Sequence, residues 1–386
     1  MSKKFINNII EDIKPSGIRK FFDIANSMDG VISLGVGEPD FDTPWNITEV
    51  GIYTLEKGKT FYTSNAGLIE LRKSITKYLK RKYNINYNYE NEVLVTVGAS
   101  EAIDLALRCI IEPGDEVIIP TPCYVSYEPC ARLAGGIVKK IGLKEENNFM
   151  LTAEELEKII TSKTKLLILS FPNNPTGSVM DYQNLKKISE ICVKYDIAVI
   201  SDEIYSELCY DYKHVSIASC DGMRERTIVI NGFSKTFSMT GWRIGYACGP
   251  KEILLQMTKL HQFAIMCAPT NSQFAAIEAL ENSDNEVEKM RNEYKKRRDF
   301  LVNKLNEIGL DCQVPNGAFY VFPSIKKFGL TSEEFCLKLL EQEKVVVVPG
   351  NAFGESGEGY IRLSYAYSVS DLEIALEKIE SFIKKL

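Results

Sequence analysis

Residues 227–248 read TIVINGFSKTFSMTGWRIGYAC, in which two short apolar runs, Thr227–Ile230 and Ile244–Cys248, flank hydroxyl-bearing and aromatic residues with Lys235 among them. Runs this short, with polar or glycine-rich boundaries, read as buried strands. Two phosphate-binding patterns fail on this stretch and its counterpart near the N-terminus. Lys235-Thr236 resembles the end of a phosphate loop, but Ser234 stands where glycine is needed and no glycine-rich turn precedes it. Gly35-Val-Gly37 runs into Glu38-Pro39-Asp40, so a dinucleotide fingerprint would lack its third glycine. What remains is a lysine near a strand end, with Ser234 before it and Arg243 beyond. An enclosed lysine has a lowered pKa, and its neutral amine can form a Schiff base with an aldehyde, while serine and arginine suit a phosphate. An exposed loop lysine fits the same residues taken alone.

Outward from this stretch, strand-like Glu92–Val97, Glu116–Ile119, Lys165–Leu169 and Ile197–Ile200 alternate with helical patterns over 101–111, 152–160 and 183–194. The alternation predicts an α/β unit with one mostly parallel sheet of roughly seven strands. From residue 270 the pattern changes to a long charged helix, through 286–305. Strand-like Ala318–Phe322 follows, then helix 332–342, strands 345–348 and 360–364, and helix 370–385. That is a second, smaller α+β unit, and with no Pro/Gly/Ser linker the two units share an interface.

The chain of 386 residues is 45% hydrophobic, enough for a large core, and 46 basic against 52 acidic residues leave a net charge of −6. This argues against a nucleic-acid or anionic-membrane surface. The run Lys295-Lys-Arg-Arg298 reads as a solvated helix face. Asparagines and acids interrupt the N-terminal apolar residues before a secretory core forms, and no run approaches the roughly 20 apolar residues of a membrane span, so a cytoplasmic protein is expected. Ten cysteines without a CxxC pair read as reduced core residues. The only histidines, His214 and His261, cannot build a multi-histidine metal centre, so no metal is expected and proton transfer falls to another residue.

Other strand ends carry polar groups of the same kind. Asp202 follows an apolar strand, where open α/β sheets gather ligand contacts, and could hold a protonated ring nitrogen. Phe171-Pro-Asn-Asn-Pro-Thr-Gly177 could aim an amide into the same crevice, or be a turn and nothing more. Val97-Gly-Ala-Ser100 offers backbone N–H groups at a helix start for an anion, although Ser100 also suits an N-cap. Tyr124 could stack on a flat ring or fill the core.

Together these segments resemble the class I and II aminotransferases, pyridoxal-phosphate enzymes of fold type I, and in particular the prokaryotic aspartate and aromatic branch. The resemblance spans nearly the whole chain: Gly37-Glu-Pro-Asp-Phe-Asp-Thr-Pro44, Tyr62, Val97–Ser100, Asn173–Gly177, Ser201-Asp-Glu-Ile-Tyr205, Ser234–Arg243 and Tyr360-Ile-Arg-Leu-Ser-Tyr365 occur in the family's order. It implies a large domain over 45–280 with a mostly parallel seven-stranded sheet between helices, and a small α+β domain from 1–44 and 281–386. Lys235 corresponds to the Schiff-base lysine and proton shuttle, Asp202 to the partner of the ring nitrogen, and Tyr205 and Asn174 to donors to the ring's phenolic oxygen. Gly98, Ala99, Ser100, Ser234 and Arg243 correspond to the phosphate site, and Tyr124 to the residue stacked on the ring. Arg362, assisted by Asn174 and Gly37, corresponds to the grip on the substrate α-carboxylate, and Tyr62 to a residue given to the neighbouring site of a homodimer. The implied reaction moves an amino group from an L-amino acid to a 2-oxo acid, 2-oxoglutarate by resemblance, in a ping-pong cycle. Aspartate-using relatives can carry a lysine where Ser100 stands, so aromatic or other neutral side chains are favoured, with aspartate still open. Elimination at the β or γ carbon, as in a C–S lyase, is the alternative on the same scaffold.

Overall fold

The apolar runs become strands buried on both faces. In the computed structural model, which describes residues 5–15, 17 and 28–386, seven strands form one sheet in the spatial order Val93–Thr96, Gly245–Cys248, Thr227–Gly232, Ala198–Asp202, Thr164–Ser170, Glu116–Thr121, Ile137–Gly142. All are parallel except Gly245–Cys248, which runs antiparallel to both its neighbours. Alternate residues enter different cores. Leu166, Ile168, Ile228 and Ile230 pack with Ala102, Ile103 and Leu107 of the helix Gly98–Ile110. Leu167, Leu169 and Val199 pack on the opposite face with Leu185, Ile188 and Cys192 of the helix Tyr182–Lys194. Helices on both faces explain why the strands read as unbroken apolar runs.

The strand Ile137–Gly142 has no counterpart in the sequence reading. It is an edge strand paired only with Glu116–Thr121, and its lysines are spoken for at the rim, Lys139 by Glu116 at 3.3 Å and Lys140 by Glu128 at 2.8 Å. Lysines are how natural sheets protect such an edge, and they also hide it from hydrophobic patterning.

Beyond the long helix Asp284–Glu307, the three strands Val348–Pro349, Ile361–Ser364 and Tyr320–Val321 form an antiparallel sheet in that order. The run Val345–Val348, read as one strand, divides: Val345–Val346 pairs in parallel with Ile32–Ser33, and Val348 pairs with Arg362. Of the N-terminal segment expected with this unit, residues 1–4, 16 and 18–27 lie outside the described residues. The basic run at 295–298 is also not a solvated face throughout. Arg297 and Arg298 are buried, the first bonded to Asp40 at 2.7 Å, the second to Asp211 at 2.9 Å and to the Pro315 carbonyl. They tie the helix to the segments carrying Asp40, Asp211 and Pro315. All ten cysteines are free, and among the described residues no helix is long and apolar enough to cross a membrane.

Candidate active site

Five parallel strands end at the same edge of the sheet, and the loops leaving Thr96, Thr121, Ser170, Asp202 and Gly232 carry Gly98, Tyr124, Asn174, Tyr205 and Lys235 to it. The reversed strand begins where the others finish, so Arg243 arrives at this edge from the opposite direction. Together with Arg362, all of these except Gly98 line a cleft of about 550 Å³.

One end of the cleft is an anion cradle. The helix Gly98–Ile110 starts with no side chain capping its first turn, leaving its N–H groups and dipole to face the cleft. Ser100 lies within that turn and is not an N-cap. Gly98 has φ +76°, and a Cβ there would lie 2.7 Å from Arg243 Nη2, while one on Gly245 would lie 2.6 Å from the Ala99 nitrogen. The cradle thus needs both glycines to let backbone and guanidinium approach. In the turn between Lys235 and Arg243, Gly241 is not among the residues with positive φ. The left-handed positions there are instead Ser238 at φ 50° and Arg243 at φ 51°, and strained backbone of this kind is held only by its surroundings.

At the other end, Asp202 is buried and accepts from Tyr127 Oη at 2.7 Å and from the Ile204 N–H at 3.2 Å. Burial pushes its carboxyl up to about 6 against the pull of these donors. No cation pairs with it among the described residues. Lys235 lies between, half-buried, donating from Nζ to the Gly37 carbonyl at 2.6 Å. Burial lowers its amine to about 8, against an opposing attraction from Glu38, and Arg362 and Arg243 lower it further.

Arg362 is buried, with Nη1 donating to Asn174 Oδ1 at 2.9 Å and Nη2 to the Gly35 carbonyl. Its guanidinium lies over the Tyr320 ring, 4.5 Å from the centroid, and its Nε has no partner among the described residues. Tyr205 Oη shares a hydrogen bond of 2.8 Å with Tyr320 Oη.

The structure therefore gathers Gly37, Ala99, Ser100, Tyr124, Asn174, Asp202, Tyr205, Ser234, Lys235, Arg243 and Arg362 round one cleft, with Gly98 packed against Arg243. Tyr62 is the exception: it is 81% exposed and away from this chain's cleft. Tyr127, Ser170 and Tyr320 line the cleft and escaped the sequence reading. Tyr127 stands three residues beyond Tyr124, but only the fold shows that its hydroxyl bridges Ser170 and Asp202. The two histidines lie off the cleft, His214 against Glu203 and His261 against Glu101.

A pyridine-sized ring with a phosphate at one end and a carbonyl beside a lysine is what such a cleft would hold, and comparison with known proteins agrees. Residues 29–379 match the family Aminotransferase class I and II. An aspartate aminotransferase of Pyrococcus abyssi is 49% identical over 376 residues, covering 97% of each chain. An aromatic-amino-acid aminotransferase of Thermococcus litoralis is 45% identical over 383 residues, covering 98% of each. The crystal structure of an aromatic aminotransferase from Pyrococcus horikoshii superposes with a TM-score of 0.91 at 46% identity, covering 95% of this chain and 99% of that one.

The fold and site define a fold type I aminotransferase. The chain belongs to the class I and II aminotransferase family and is a pyridoxal-phosphate-dependent transaminase. These relatives carry no elimination activity in their names, so the lyase alternative is not favoured. The residues present fit the cofactor. The uncapped helix start, Ser234 and Arg243 suit its phosphate, the buried and cation-free Asp202 suits its ring nitrogen, and Lys235 stands between them.

Proposed function

We propose that the enzyme moves an amino group between an L-amino acid and a 2-oxo acid in two alternating half-reactions, with Lys235 as covalent anchor and proton carrier. Bound in the cleft, pyridoxal phosphate supplies an aldehyde carbon for the amino group and a ring that accepts the electron pair freed at the α-carbon. The residues of this chain do the rest. Lys235, with its amine lowered to about 8, holds or releases a proton close to neutral pH, the condition for efficient general acid–base work. Asp202, ionised above about 6, attracts the proton of the ring nitrogen. Tyr205 and Asn174 donate to the ring's oxygen, and Tyr124 stacks on its face. Gly98, Ala99, Ser100, Ser234 and Arg243 hold the phosphate. Arg362 grips the substrate α-carboxylate with its planar fork, aided by Asn174 and Gly37.

The observation that carries this reading is a lysine with a depressed pKa set between an anion cradle and a buried carboxylate. Borohydride reduction followed by peptide mapping tests it: the cofactor mass should appear on the peptide containing Lys235, and a label on a different lysine would sink the assignment.

The substrate reading follows from the cations. Among the described residues the cleft of this chain has three, Lys235, Arg243 and Arg362, and each has a role already. Glu101, next to Ser100, turns away to accept from the Val97 N–H and to pair with His261. Among the described residues no cation is left for a second substrate carboxylate, which supports an aromatic or other neutral amino acid, with aspartate a weaker substrate and 2-oxoglutarate the acceptor. A panel of amino acids assayed against 2-oxoglutarate distinguishes these, and aspartate turning over fastest would refute the preference.

The working unit in this reading is a homodimer, with Tyr62 reaching the neighbouring site. Phe61, Tyr62, Phe263, Ile265 and Met266 are exposed together, on segments joined by Asn65 donating to the Met266 carbonyl and Thr270 donating to the Phe61 carbonyl. A patch of this kind is what a monomer avoids. Each chain divides into a large domain, 45–280, and a small one, 1–44 with 281–386. Sizing in solution tests the dimer, and a fully active monomer would exclude it.

A further inference from the structure

The mechanism has no use for a histidine, yet His214 sits against Glu203, the residue that follows Asp202. Its Nε2 is 2.9 Å from Glu203 Oε2. Glu203 is 1% exposed and also accepts from Ser201 Oγ at 2.8 Å and from Ser216 Oγ. Asp202 and Glu203 are consecutive at a strand end, so their side chains leave on opposite faces: Asp202 toward the cleft, Glu203 into the pocket of His214 and Ser216. A buried carboxylate without a counter-charge is expensive, and among the described residues no lysine or arginine is paired with Glu203. Burial works against charge on His214, but Glu203 and Cys209 override it and push the imidazole up to about 10. Around the pair stand Tyr83, with its ring 5.4 Å away, Cys209, Tyr87, Tyr246 and Cys248. Glu207, beside Tyr83, has Lys82 as its own partner.

We propose that His214 is a positioning residue for the ring site: as an imidazolium it cancels the charge of Glu203, and so lets Asp202 remain an anion one residue away. This rests on the reading of Asp202 as the partner of the ring nitrogen. Glu203 already raises the Asp202 carboxyl, and stripping Glu203 of its counter-charge strengthens that push.

The test is a pH titration of the visible absorbance of the holoenzyme. A positive ring nitrogen depresses the proton affinity of the cofactor–lysine linkage, so weakening Asp202 raises the spectroscopic midpoint. In His214→Gln the midpoint should rise by about one unit, a tenfold change in the proton equilibrium. The double variant Glu203→Gln/His214→Gln, neutral at both positions, should return it to the wild-type value, a rescue that a merely structural histidine would not produce. In the unmodified holoenzyme, imidazole nitrogen spectra, with only two histidines to assign, should show His214 protonated from pH 6 to 9. An unmoved midpoint in the single variant, a double variant shifted as far as the single, or a neutral His214 overturns the proposal; the nitrogen spectra decide even where a variant fails to fold. Asp202→Asn separates the two readings. If it leaves the midpoint in place, the role of Asp202 fails; if it moves the midpoint and His214→Gln does not, only the role of His214 fails.

Discussion

Replacing Lys235 with methionine in the cofactor-free enzyme should make the fold more stable at neutral pH, by an amount set by the surroundings of the amine. Burial lowers its pKa to about 8, against roughly 10.4 in an unfolded chain. The unfolded chain binds the proton more tightly, and at about 1.4 kcal/mol per unit the charge costs the fold roughly 3 kcal/mol below pH 8. Methionine removes that cost but gives up the hydrogen bond to the Gly37 carbonyl, worth about 1 kcal/mol. The net gain is therefore about 2 kcal/mol at pH 7. The sign with pH follows from a depressed base. The gain is fully present below the folded value of about 8 and fades as pH climbs toward the unfolded value near 10.4. Well above that value lysine is neutral in both states, and the variant is the weaker by its missing hydrogen bond. Urea unfolding of the two apoproteins at pH 7 and pH 10 measures this directly. A variant less stable at pH 7, or a gain as large at pH 10 as at pH 7, would refute the claim that desolvation of the ammonium sets the character of this lysine.

Three further perturbations follow from the same geometry. Tyr127→Phe removes a hydrogen bond to the Asp202 carboxylate worth about 1.5–3 kcal/mol, or roughly one to two pKa units. The carboxyl then rises from about 6, and the acid limb of the activity–pH profile should move to higher pH. Gly98→Ala forces a side chain into a left-handed residue, with its Cβ 2.7 Å from Arg243 Nη2; cofactor retention in dialysis should fall by at least about tenfold, since the backbone strain alone is of order 1–2 kcal/mol. Arg362→Lys exchanges a fork bonded to Asn174 and Gly35 for a point charge. KM for the amino acid should rise by roughly 10- to 100-fold, while the absorbance spectrum of the resting holoenzyme stays as it was.

How much of this was legible depended on whether a residue announces itself along the chain or only across space. Buried strands such as Lys165–Leu169 and Thr227–Ile230 were plain because covering both faces of a sheet demands continuous apolar runs. The edge strand Ile137–Gly142 was not, because protection by Lys139 and Lys140 breaks the pattern that marks a strand. Likewise Lys235 and Asp202 could be placed from strand-end motifs, and Arg362 through the family resemblance. Tyr127 and Tyr320 could not, since their roles lie in hydrogen bonds to Asp202 and Tyr205 from distant segments. Arg297 and Arg298 misled for the same reason: a run of basic residues reads as surface until Asp40 and Asp211 are brought against it.

The reversed strand explains why one short segment supplies both Lys235 and Arg243 to the cleft. Had Gly245–Cys248 been parallel, a crossover of a dozen residues or more would have been needed to return the chain to the far edge of the sheet, and Arg243 would have entered at the edge away from the cleft. Antiparallel pairing with Thr227–Gly232 lets the chain turn back within the Lys235 loop, so that Lys235 leaves one strand and Arg243 enters the next at the same edge. The same reversal makes Gly245 pair with Thr96, pressing the start of the strand against the cradle at Gly98 and Ala99. Ser238 and Arg243 adopt left-handed backbone within this loop, a conformation worth holding only where it aims a guanidinium at a fixed point. The antiparallel strand is thus the feature that brings Lys235, Arg243 and the uncapped helix start to one edge of the sheet.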